Sequence, residues 1–262
     1  MLSAVIYLFL AHLGIGIAFT LLLVSKEAGV KFFRFNAGLA AVLLAAALAF
    51  RPATARVAQP PAFAAVAVAL GCLTIYWIIA GRVWAWLRPP LAAMASIAGA
   101  IAAITHGIAA SSEVTGTALA ATSALTSAAL LGGACTAMVL GHWYLVIPSM
   151  QVGHLQRSVG FHILSLAARV VVVAIVLALA AGAPLLTGRS LRGYVMSIDG
   201  IFFWQRVLFG LAGPAVLSYL TWETAKIRST QSATGILYVD FFTVIVGEVL
   251  ANYVLLSTGL AV

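Results

Sequence analysis

Between Arg169 and Arg189 the chain carries no charged side chain, only VVVVAIVLALAAGAPLLTG. Similar runs recur along the whole sequence, each close to the about 20 residues that cross bilayer hydrocarbon as a helix. Water cannot satisfy backbone amides there, so a spanning segment must be a helix or a strand of a closed barrel. The runs are continuous and do not alternate with period two, which selects helices. Composition agrees. The chain is 64% hydrophobic and 8% charged, where a soluble domain carries about 25% charged residues. The sequence therefore predicts an all-α polytopic transmembrane helical bundle of about eight helices. Residues 1–262 read as a single integral membrane domain, with halves at 1–110 and 115–262.

The expected helices run from Leu2 to Val24, Val30 to Phe50, Ala62 to Ala80, and from Arg88-Pro89-Pro90 to Ala110. Four more run from Thr117 to Val146, where Pro148 stops the pattern, then Val152 to Ala181, Ile201 to Trp222 and Gly235 to Leu256. No basic segment precedes the first apolar run, so that run reads as a retained helix and not a signal peptide. The repeats of a four-plus-four arrangement are not visible in the letters.

The net charge of +8 would suggest nucleic acid in a soluble protein. Here the basic residues sit in short breaks between apolar runs, where they set orientation and meet anionic headgroups. Nucleic-acid binding is therefore not expected. One side would hold Lys26, Lys31, Arg34, Arg82, Arg88, Arg157, Lys226 and Arg228, the other Arg51, Arg56, Arg189 and Arg192. The excess predicts the first side as cytoplasmic and both termini outside, in a bacterial cytoplasmic membrane. Cys72 and Cys135 lie in apolar runs without a CxxC, so this chain by itself is not expected to build a structural zinc or iron–sulfur site.

The second half places His162, Arg169, Arg206, Asp240 and Glu248 inside apolar runs, and the first half only His12 and His106. Intramembrane charge is costly and marks a site or a pathway by default. Ser158, His162, Ser165 and Arg169 share one helical face. Arg169 cannot lose its proton in any ordinary way and must find a carboxylate, carbonyls or a ligand. Glu248 is the expected partner, at similar depth on the last helix. That pairing reads equally as a structural ion pair or as part of a route through Glu223, Asp240, Glu248 and Arg169. Arg206 is expected either to pair locally with Asp199, seven residues earlier on the same face, or to snorkel toward the outer headgroups. Gly213-Pro214 is expected to interrupt the seventh helix. The segment GHWYLVIPSMQVGHLQR gathers His142, Trp143, Tyr144, Gln151, His154 and Arg157 at an interface, as an aromatic belt with a polar turn or as the rim of a cofactor site.

These features suggest an integral membrane subunit of a respiratory, electron-transfer complex. It would interact with a quinone through His162, Arg169 and Arg206, with proton uptake along Glu223, Asp240 and Glu248. Partner subunits with haem or iron–sulfur centres would supply the electrons, making the chain a quinone-binding or non-catalytic subunit of an oxidoreductase. His12, His106 and His162 are the intramembrane candidates for axial ligands of haem b, although no two lie on different helices at matched depth. A small-molecule or ion transporter with its path along the sixth to eighth helices is the alternative, and a scaffold subunit without chemistry is the second.

Overall fold

The computed structural model describes residues 1–52, 59–82, 84–113, 115–147, 150–182 and 184–262. Arg56 and Pro148, both used in the expectations above, lie outside them. The helices are α1 (Leu2–Thr20), α2 (Gly29–Ala49), α3 (Pro60–Ile79), α4 (Arg88–Ala109), α5 (Gly116–Val146) and α6 (Gly153–Ala180). They are followed by α7 (Leu191–Val195), α8 (Ile201–Val207), a π-helical turn (Leu208–Ala212), α9 (Gly213–Lys226) and α10 (Thr230–Thr258). The segments from α8 to α9 form one span. Among the described residues, eight spans are long and apolar enough to cross a membrane, and the chain is an all-α polytopic integral membrane protein. Below, the near end of the bundle is the one where α1 begins, and the far end the one where it finishes.

Local chemistry sets the helix boundaries. Pro60-Pro61 opens α3 and Pro89-Pro90 lies in the first turn of α4, where a missing amide costs nothing. The first helix ends at Thr20, earlier than expected. Ser25 then caps a short 3-10 turn by accepting from the Glu27 amide at 3.3 Å. The regular α-helix of the seventh span is interrupted at Gly213-Pro214, by a π turn over the residues just before it. Proline crowds the carbonyl four residues earlier, here that of Gly210, and a wider turn relieves the clash.

Helix α1 packs on α2, α2 on α3, α3 on α4, and α4 returns to α1. The same order recurs as α5 on α6, α6 on α9, α9 on α10, and α10 back on α5. Two four-helix rings result, joined where α1 lies against α5. Gly16 and Gly132 face each other across this seam, and a Cβ on either would overlap the other helix's backbone. One turn on, the hydroxyls of Thr20 and Thr136 are 2.6 Å apart. Glycine to glycine and threonine to threonine in one register means that α1 and α5 run parallel. Small residues allow this approach, and dispersion rather than water drives it in lipid.

Residues 259–262 turn back into the bundle after α10. Gly259 turns in the left-handed conformation (φ 78°), which glycine adopts without a Cβ penalty. Leu260, Ala261 and Val262 then fold back to buried positions. Ser112 and Thr115 donate to the Gly259 carbonyl at 3.0 and 3.1 Å, and Ser123 donates to that of Ala261 at 3.1 Å.

Candidate functional site

Seven imidazole, guanidinium or carboxylate side chains are buried among the described residues: His12, His106, His162, Arg169, Arg206, Asp240 and Glu248. With the histidines neutral, two arginines balance two carboxylates. Burying ions is tolerable only when each finds partners, and the partners fall into two groups.

The larger group centres on Glu248. Arg169 donates from Nε to Oε1 at 3.1 Å and from Nη2 to Oε2 at 3.2 Å, a bidentate grip. The expected pairing of these two residues is thus present. Arg169 also donates from Nη1 to the Ser123 carbonyl at 3.1 Å and to the Ser123 hydroxyl, and from Nη2 to the backbone oxygen of Val262 at 3.1 Å. Arg206 donates to Glu248 Oε1 at 2.8 Å. Ser127 donates to Glu248 Oε2 at 2.6 Å. The expected Asp199–Arg206 pair does not form. Asp199 meets Arg189 at 3.2 Å on the exposed near end, while Arg206 is fully buried. Gly210 and Gly247 bring the π turn against α10 and flank the guanidinium, so the packing turns Arg206 inward.

From Ser127 the polar groups continue toward the near end. Ser127 Oγ lies 3.2 Å from His12 Nδ1. The rings of His12 and His106 are 5.8 Å apart between centroids. The Tyr7 hydroxyl meets His106 Nε2 at 2.8 Å. His12 Nε2 and His106 Nδ1 have no partner in the protein, and both residues border one void of about 20 Å³, room for a single water. The two histidines approach despite unequal depth because side chains lean toward the start of their own helix. Helices α1 and α4 run in opposite directions, so the rings lean toward each other.

The second group is His162 and Asp240, both fully buried, with Nε2 and Oδ2 2.7 Å apart. The contact is an ion-pair distance whose angle does not make a regular hydrogen bond, and neither group has another polar partner. His162 therefore shares a helix face with Arg169 but serves a different carboxylate. Glu223 joins neither group; it is half exposed and paired with Lys226 at 2.6 Å.

At the far end, Tyr144 donates to the Gln151 carbonyl and accepts from the Leu155 amide at 3.2 Å. His154 meets Glu27 at 2.7 Å, and His142 lies 3.0 Å from the Tyr238 hydroxyl. These contacts tie α5 to α6 and α10, and α6 to the short turn after α1. A haem fits poorly beside His12 and His106, since the space they share is the size of a water and each ring already holds a hydroxyl. Among the described residues, no three of the His, Cys, Asp and Glu side chains group as a metal site.

Sequence reasoning missed Tyr7, Ser123, Ser127 and the tail oxygen of Val262. Ser123 and Ser127 carried a signal, being one turn apart on the same helix face. Tyr7 and Val262 carried none. The scan against protein-family models and the search of curated proteins found no match.

Proposed function

We propose that this chain is the membrane subunit of a quinone-linked electron-transfer complex in a bacterial cytoplasmic membrane, where it hands protons through its interior. A partner subunit with haem or iron–sulfur groups supplies the electrons. The observation that carries this reading is the series Glu248, Ser127, His12, His106 and Tyr7. Each member is within hydrogen-bond reach of the next, except for one gap of water size. Carboxylates, imidazoles and hydroxyls can accept and release protons in turn, and the arginines hold the carboxylate in place. His162 and Asp240 form a second pair that can share a proton, farther toward the end where basic loops predominate.

The test is to extract the tagged chain gently with its partners and measure proton uptake per electron delivered to quinone. His12→Gln keeps the Glu248 ion pairs and breaks the series, so uptake should fall at least tenfold while the complex stays assembled. Glu248→Gln should do the same where it assembles. Full proton uptake in the His12 variant, or a stable chain that purifies without redox partners, would overturn the proposal.

A transporter reading draws on a different observation. The repeated ring order joined at a glycine seam is the kind of parallel repeat in which two bundles can rock against each other.

A further inference from the structure

A crevice of about 690 Å³ opens between α6 and α9. It runs along α6 from Gly160 to Val171, about 16 Å at the helical rise. Its walls are apolar except at Ser218, Tyr219 and Trp222. Trp222 lies over Gly160, where an added Cβ would meet its ring at an ordinary contact distance of 3.7 Å.

Ser218 is the unusual residue. It is 1% exposed, and its hydroxyl has no partner. Every other buried serine or threonine among the described residues has one. Thr221, Ser165 and Thr258, for example, each donate to the carbonyl four residues back at 2.8–2.9 Å, the usual arrangement in membrane helices. A buried hydroxyl without a partner is costly in an apolar setting, and Ser218 is one of the residues that line the crevice.

Its depth is also informative. Ser218 is eight residues from Lys226, His162 nine from Gly153, and Asp240 ten from Thr230, all counted from the far end. At 1.5 Å per residue these are about 12–15 Å, so the hydroxyl is level with the His162–Asp240 pair. Ile163, in the crevice wall, is the chain neighbour of His162.

We infer that the crevice binds an isoprenoid quinone, with the Ser218 hydroxyl donating to a ring carbonyl and the tail leaving along the apolar walls. This rests on the proposed function and supplies its substrate site. An acyl chain of a phospholipid would fill the same space but has no acceptor at this depth. The ring would lie on the outer side of α6, level with the His162–Asp240 pair.

The experiment uses the full chain in nanodiscs with decylubiquinone as probe and tryptophan quenching as readout. Trp222→Phe should remove most of the saturable quenching. Ser218→Ala should weaken binding about three- to tenfold, the range for one hydrogen bond. It should leave the binding of decylbenzene, which has the tail and no carbonyl and is measured by its displacement of decylubiquinone, unchanged. Ala167→Phe, on an exposed crevice position, should abolish quinone binding without disturbing the buried network. Unchanged quinone affinity in either Ser218→Ala or Ala167→Phe would overturn the inference. Equal weakening of decylbenzene by Ser218→Ala would show a lipid groove and overturn it as well. A loss of coupled proton uptake in His12→Gln that persists when these quinone results fail would leave the proton reading standing and sink only the crevice.

Discussion

Arg206 and Glu248 meet at 2.8 Å in the middle of the bundle, with neither side chain exposed. Arg169 holds the same carboxylate from another helix, so one anion serves two cations. That stoichiometry changes what rescue can mean. Arg169→Leu alone leaves Glu248 paired with Arg206, so its cost should be the smaller one of stranding the Ser123 and Val262 backbone oxygens, about 1–3 kcal/mol. Adding Glu248→Gln should not restore stability, because Arg206 is then left without an anion. Neutralising Arg169, Arg206 and Glu248 together should recover most of it. Thermal unfolding in detergent distinguishes these outcomes, and a fully stable double variant would contradict the shared carboxylate.

The seam between α1 and α5 admits no side chain at Gly16 or Gly132. Gly132→Val should therefore lower stability by about 1–3 kcal/mol or more, as overpacking does. Gly71, beside which a Cβ meets nothing, should accept alanine without loss. Denaturation midpoints in one detergent give the comparison.

Thr20→Cys with Thr136→Cys should form a disulfide on mild oxidation, since the native hydroxyls are 2.6 Å apart. The cross-link also separates the two functional readings. A rocking transporter is arrested by a bond across its seam, whereas proton transfer through His12 and Ser127 continues.

Orientation has its own test. The far end carries Lys26, Lys31, Arg34, Arg82, Arg88, Arg157, Lys226 and Arg228, which predicts that it faces the cytoplasm. Ser229→Cys, in the connection between α9 and α10, should react with impermeant maleimide only from that side. Reaction from outside would invert the topology.

Ala261 and Val262 lie over the near end of the buried network, against Ser123 and Arg169. Ser123→Cys should resist water-soluble thiol reagents, being 5% exposed beneath Ala261. Truncation after Thr258 should make it reactive. Equal protection in both forms would show that α4 and α10 close the cleft without the tail.

What the letters alone determined is what lipid enforces. The apolar runs specify helices because no other open structure satisfies a backbone in hydrocarbon, and eight spans followed directly. The stripe of His162 and Arg169 had to face inward for the same reason, and the matched depth of Arg169 and Glu248 brought that pair within reach of prediction. Tertiary packing alone decided the rest. Arg206 turned from Asp199 to Glu248 because Gly210 and Gly247 let the π turn approach α10. His162 took Asp240 instead of sharing Glu248. His12 and His106 came within 5.8 Å because α1 and α4 run in opposite directions. Helical period and depth fix which face a residue occupies and how deep it lies. They do not fix which helix becomes its neighbour, because lipid solvates every apolar face alike and leaves that choice to small-residue contacts such as Gly16 with Gly132.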